Sequence, residues 1–268
     1  MLLRFILRRI KKVAKPLKFW FKTAIYYYTP GGYGFYRTIK KYKDPNCVPN
    51  DASGTRHLYM NHDIFSTENS YSKGGFQYRN YDNYEEYVAH QKSKFDIVLK
   101  MGNSFRNSSV VVYRYLFYKQ FCHLDNYLTK SSHILCAGAR QGTEVEVLHD
   151  LGFKNAYGID LNPGPNNKLV RVGDFMNLEN PDSSLDMIYC NALDHAFNLE
   201  DLFKEHARVI KPDGYVLYDI CTKGAYEFEA VGWKSAEQVI ILLLQYFNAI
   251  IKVGTEKGVK WILLQGKK

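Results

Sequence analysis

The sequence predicts an α/β fold, a mostly parallel sheet with helices packed on both faces. Three observations predict it. From His133 onward, short apolar runs alternate with amphipathic segments of helical period. The run from Ile134 to Val145 (ILCAGARQGTEV) reads as an apolar strand, a turn bounded by Gly138 and Gly142, and the opening of a helix. A second run, Ala156 to Asp160, ends in a carboxylate about twenty residues further on, the separation at which an acidic side chain meets a ribose diol.

The elements follow in order. Residues 1–28 place Leu2, Leu3, Ile6, Ile10, Val13, Leu17 and Trp20 at helical spacing among eight Lys and Arg, with Pro16 as a kink or break. Thr29 to Gly34 (TPGGYG) is a loop. Residues 44–80 are rich in Asn, Ser, Gly, Asp and Tyr, and read as long connections with one short element at most. His57, His62 and Asp63 lie there without metal-ligand spacing, so no metal is expected. Helical period returns at Asn83, with Tyr84, Tyr87, Val88, Gln91, Phe95, Val98 and Leu99 on one face, and again over Asn107–Leu128. The pattern then predicts strands at 133–137, 156–160, 169–172, 186–190 and 214–220, and helices at 142–151, 199–210 and 233–247. Two closing strands at 249–254 and 259–265 flank a hairpin turn over Thr255–Gly258. The crossovers 162–168 and 174–184 are too short for helices, so the core is a compact one. Lys211–Gly214 (KPDG) reads as a turn.

Charge divides the chain. Its net charge is +9, but residues 1–44 hold twelve Lys or Arg against one Asp. Subtracting that +11 from +9 leaves −2 on the other 224 residues. This is a near-neutral body with a basic arm, which disfavours nucleic acid as a partner of the whole surface. No stretch of the arm approaches the roughly 20 apolar residues of a membrane span, and its charges interrupt any secretory apolar region. It fits a helix lying in an anionic membrane surface through residues 1–28, each cation there worth about 1 kcal/mol. Packing on the protein itself, oligomerisation, or a nucleic-acid arm are the other readings. Five scattered cysteines without paired spacing suit a reducing, cytoplasmic compartment. The 22 tyrosines suit sugar or membrane contact, and equally half-buried packing surfaces.

Taken with Val172–Phe175, Leu185–Asn191 and Arg208–Gly214, the ordered set resembles the class I S-adenosylmethionine-dependent methyltransferases, type 11 branch, over about half of the chain from Ser131. The resemblance implies a Rossmann-like seven-stranded sheet over 131–268, a loop-rich and helical cap over 45–130, and the basic arm over 1–44. It implies S-adenosylmethionine as cofactor, with Ala137, Gly138, Arg140, Gly142 and Glu144 around the donor's methionine end. Arg140 would pair with its carboxylate and Glu144 would contact its ammonium. Asp160 would hold the ribose, with Leu161 beside the adenine and Asp174 and Phe175 on the adenine amino group and ring. Asn191 would lie nearest the donor, His195 would act as general base, and Asp194 would orient it or touch substrate. A structural His195 capping the next helix is the plain alternative. The sequence departs from the family at Cys136, where an acidic residue is usual, and at Arg140, where glycine is usual.

The arm and the tyrosine-rich cap suggest a hydroxyl of a glycan or lipid-linked sugar as acceptor, at the cytoplasmic face of a membrane. A lipid or quinone methyltransferase, or a non-catalytic scaffold with a degenerate fold, are the alternatives. A nicotinamide-binding protein is the nearest rival, and the lack of a clean G-x-G-x-x-G run and the closing hairpin count against it.

Overall fold

The computed structural model describes residues 69–100, 109–221, 228–256 and 259–268. The basic arm, the segment holding His57, His62 and Asp63, and half of the expected Thr255–Gly258 turn lie outside the described residues.

The element order is β1 (Ser70–Lys73), β2 (Phe76–Arg79), α1 (Tyr84–Lys100), α2 (Ser109–Phe121), β3 (Ile134–Ala137), α3 (Thr143–Asp150), β4 (Ala156–Asp160), β5 (Val170–Val172), β6 (Leu185–Cys190), α4 (Leu199–Val209), β7 (Ile210–Ile220), β8 (Val231–Gly232), α5 (Ala236–Leu243), β9 (Phe247–Glu256) and β10 (Val259–Lys267). Seven strands form one sheet in the order β5-β4-β3-β6-β7-β10-β9. The first five are parallel, and β10 pairs antiparallel with both β7 and β9. The chain therefore starts the sheet in its middle and grows outward both ways, leaving a crevice beyond the carboxyl ends of β3, β4 and β6.

All four residues of β3 are buried, as a central parallel strand covered on both faces requires. Alternation sends Leu135, Ala137, Ile188 and Cys190 into one core with Leu202, Phe203, Val239 and Leu243 of α4 and α5. Ile134, Cys136, Met187 and Tyr189 enter the other core with Phe117, Phe121, Val145 and Leu148 of α2 and α3. Helix α4 starts at Asn198, whose side chain accepts from the Glu200 and Asp201 amides. Neither crossover around β5 contains a helix.

Three features differ from the sequence expectation. The Asn107–Leu128 helix ends at Phe121 and gives way to a short 3-10 turn at Leu124–Asn126. Lys211–Gly214 is drawn into β7 as a bulge, because the β6–β7 pairing passes from Leu185↔Ile210 directly to Met187↔Tyr215. A second, three-stranded antiparallel sheet, β1-β2-β8, joins a hairpin that precedes the main sheet in sequence to a strand between β7 and β9: Gln77 pairs with Gly232 and Tyr78 with Val231. Strands of four, four and two residues leave little periodicity to detect.

One buried cation fastens two helices together. Arg114 of α2 is almost wholly buried and donates to Glu146, at 2.5 Å, and to Asp150 of α3, and Tyr118 also donates to Asp150. This pins α2 to α3. Arg114→Met leaves two carboxylates facing each other without their cation. The expected loss is about 3 kcal/mol, the low end for breaking a buried pair since Asp150 is partly exposed, read as a lowered urea midpoint with unchanged slope.

Candidate active site

The crevice beyond β3, β4 and β6 is a half-open cleft with a cavity of about 60 Å³. Its floor is built by three strand ends. After β3 the chain turns through Gly138 and Arg140, both left-handed at φ 73° and 47°. A Cβ on Gly138 would lie 2.8 Å from that of Ala192, so glycine keeps the turn and the cleft open. Gly142, also left-handed, opens α3 and is packed so closely on Leu169 and Val170 that a Cβ would lie within 3 Å of both.

Asp160, at the end of β4, is held by its own backbone surroundings. One carboxylate oxygen accepts from the Arg140 amide and the other from the Asn162 amide, each at 2.9 Å. Each oxygen keeps a second lone-pair site, so the carboxylate is fixed in direction and still able to accept two hydroxyls. Leu161 and Phe175 supply apolar lining beside it. A glycine edge that a Cβ would fill, a preset carboxylate, a cation on Arg140 and an apolar ring contact form a suitable set for a charged nucleoside.

Helix α1 lies over the cleft. Tyr84, Tyr87, Gln91 and Lys94 recur at steps of three and four, hence on one face. Tyr84 donates to Asp174 at 2.6 Å, Tyr87 to the His195 carbonyl at 3.0 Å, and Gln91 to the Phe228 carbonyl at 2.8 Å. Lys94 Nζ lies 3.0 Å from His195 Nε2. The ring's other nitrogen, Nδ1, is 2.9 Å from the Phe228 carbonyl. Carboxylate oxygens of Asp194 and Glu229 and a ring nitrogen of His195 converge within 4.8 Å of one another. Burial shapes this corner. It pushes Lys94 down to about 7, His195 well below the usual imidazole range, and Asp194 up to about 6, the last aided by the nearby Glu229 charge.

The structure thus brings Gly138, Arg140, Asp160, Leu161, Phe175 and His195 around one cleft. It does not bring all the expected residues there. Asn191 is exposed and does not line the cleft, and its neighbour Ala192 does. Glu144 is buried in α3 away from the lining, and burial pushes its carboxyl up to about 8, so it offers no anion to a ligand's ammonium near neutral pH. Asp174 spends its oxygens on Tyr84 and on the Met176 amide and does not line the cleft. Ala137 is buried at the strand end, and Gly142 acts through packing. Asp194 Oδ1 is 4.0 Å from His195 Nε2, while Nδ1 is taken by a carbonyl, so Asp194 does not orient the ring by a direct bond. The helix cap is Asn198, not His195. Gln91 and Lys94 belong to the helix before the first core strand, which the family resemblance makes a cover of the site with Tyr84, Tyr87 and His90 facing in, and both do line the cleft. Phe228 and Glu229 carry no sequence signal, since they reach the site from far along the chain.

Residues 135–218 match the family model described as Methyltransferase domain. The whole architecture is like that of the 1,6-didemethyltoxoflavin-N1-methyltransferase of Burkholderia thailandensis, solved with S-adenosylhomocysteine bound, at a TM-score of 0.52 and 15% identity over 74% of this chain and 97% of that one. A SAM-dependent methyltransferase from Thermotoga maritima is similar at a TM-score of 0.49 and 16% identity, covering 68% of this chain and all of that one. No curated protein matches the sequence. The methyltransferase-domain match and the seven-stranded Rossmann-like sheet together support an S-adenosylmethionine-dependent methyltransferase.

Two outcomes test the site. Asp160→Ala removes both remaining acceptor positions and releases two backbone amides. S-adenosylhomocysteine binding should weaken at least tenfold by calorimetry, equivalent to about 1.4 kcal/mol, with the far-ultraviolet spectrum unchanged. Glu144 holds its proton in the folded chain between about 4.5 and 8 and loses it on unfolding in that window, so its contribution to stability falls as pH rises. Glu144→Gln removes this slope. Its urea midpoint should gain on the wild type from pH 5 to pH 8, and parallel profiles would contradict the assignment.

Proposed function

We propose that the chain transfers the methyl group to a hydroxyl of a glycan or lipid-linked sugar at the cytoplasmic face of a membrane. One observation carries the hydroxyl: the cleft that holds Asp160 and Gly138 also contains the Lys94–His195 nitrogen pair, a proton acceptor that a protic acceptor group requires. S-adenosylmethionine supplies the electrophilic methyl carbon. The protein's part is to fix the donor's sugar through Asp160, face its carboxylate with Arg140, line its ring with Leu161 and Phe175, and keep a base within reach of the acceptor.

The membrane part of the reading is supported by the eight cations and interleaved apolar residues of positions 1–28. Among the described residues no helix is long and apolar enough to cross a membrane.

A transfer screen with isotope-labelled S-adenosylmethionine over oligosaccharides, polyprenyl-linked sugars, phospholipids and quinones tests the acceptor. Label is expected in a sugar hydroxyl as an alkali-stable methyl ether; label confined to phospholipid or quinone would replace the glycan. For the arm, anionic vesicles should retain the full chain at least tenfold better than a chain lacking residues 1–28, and 0.5 M salt should weaken that retention. Equal retention of the full and truncated chains on anionic vesicles would remove the membrane.

A further inference from the structure

His195 is the obvious base by residue type, yet its surroundings make it a poor one. Nδ1 faces the Phe228 carbonyl at 2.9 Å, and a carbonyl only accepts, so Nδ1 carries the ring hydrogen. The ring's lone pair is then on Nε2, and it is turned to Lys94 Nζ at 3.0 Å rather than free for an acceptor. Lys94 reaches this point from α1, is 9% exposed, and passes over the Phe228 ring with Nζ 5.4 Å from its centroid. Both Lys94 and His195 line the cleft.

We propose that Nζ of Lys94, as a neutral amine, takes the proton of the acceptor hydroxyl, and that His195 is the positioning residue that accepts one N–H of that amine and aims its lone pair into the cleft. The inference rests on the reading of a hydroxyl acceptor. In the step, the acceptor oxygen bonds to the methyl carbon as the carbon–sulfur bond breaks with its electron pair left on sulfur. The hydroxyl proton passes to Nζ, which becomes an ammonium and returns its proton to water after product leaves.

The charge environment supports this division of labour. Lys94 is faced by Arg140 from the β3 turn, Asp160 from the end of β4, Asp194 and His195 from the loop after β6, and Glu229 from the segment before β8; His90 of α1 completes the set around the imidazole. Burial and Arg140 push the amine down, the three carboxylates push it up, and burial wins, leaving it at about 7. The same burial, helped by the Arg140 charge, pushes the imidazole well below its usual range, where it binds protons weakly. A base matched to neutral pH is the amine.

Competitive acetylation by acetic anhydride on the full chain from pH 5 to 11, read lysine by lysine by mass spectrometry, tests this without an acceptor. Lys94 should show a reactivity midpoint near pH 7, against about 10.4 for exposed lysines. His195→Phe should leave that midpoint within about one pH unit, because burial sets it. A Lys94 midpoint among the other lysines, no labelling at any pH, or a return to the ordinary range in His195→Phe would each overturn the proposal. S-adenosylhomocysteine calorimetry on the same samples separates this from the donor site. Lost binding there with a midpoint still near 7 strikes the donor reading alone, whereas retained binding with an ordinary midpoint strikes Lys94 alone.

Discussion

The site depends on one helix face fastened across the sheet's carboxyl edge. Four side chains of α1, Tyr84, Tyr87, Gln91 and Lys94, reach the loops after β5 and β6 and the segment before β8. A further bond runs from Asn162 to the Lys92 carbonyl. The loops contacted are far apart in sequence, and α1 spans them, while the Ala230 amide donating to the Asp194 carbonyl holds the Phe228 segment beside His195. Aromatic packing backs the polar contacts: Tyr81, Tyr84 and Tyr87 meet Phe197 with ring centroids 5.2 to 6.1 Å apart. Each hydrogen bond is worth only about 1 kcal/mol net, so the rings and the burial they produce hold the helix, and the polar contacts set its register.

The cleft floor obeys a different logic. Asp160 is fixed by backbone amides of the two loops it joins, which makes its direction a property of the β3 and β4 ends and not of its rotamer. The Arg140 amide that serves it belongs to a left-handed residue, and the glycine before that turn could not accept a Cβ without meeting Ala192. Turn geometry and the Asp160 carboxylate are therefore one unit. The family's usual middle glycine is replaced here by an arginine that adopts the same left-handed region, at some cost in strain, and places a cation beside the cleft.

The parts of this protein that the sequence made legible are those built from local pattern. Strands β3, β4, β5 and β6 and helix α4 fall within one or two residues of their periodic signals, because a buried run or an amphipathic stripe is written in consecutive residues. Asp160 was legible for the same reason, as a carboxylate ending a strand at a fixed distance from a glycine turn. Asn191 misled because strand ends predict a neighbourhood and not a direction: one residue of rotation exposes it and turns Ala192 inward. Glu144 misled because its sign of charge was taken from its type, whereas burial in α3 keeps it protonated. The pairing of β2 with β8, and Phe228, stayed hidden because their partners lie some 150 residues away, as the bond from the Arg79 amide to the Ala230 carbonyl shows, and no local period records such a pairing.

Burial is also what separates the two nitrogens in chemistry. An exposed lysine is a cation at neutral pH and an exposed histidine is a usable base there. Enclosing both in one corner lowers both, and the starting values then decide the outcome: the amine falls from above 10 into the working range, while the imidazole falls out of it. The three carboxylates around Lys94 oppose that fall without cancelling it. The same packing of α1 that closes the cleft thus exchanges the roles that residue type alone would assign. A change that loosened α1 while leaving every cleft residue in place would therefore return Lys94 toward an ordinary ammonium and remove the base together with the enclosure.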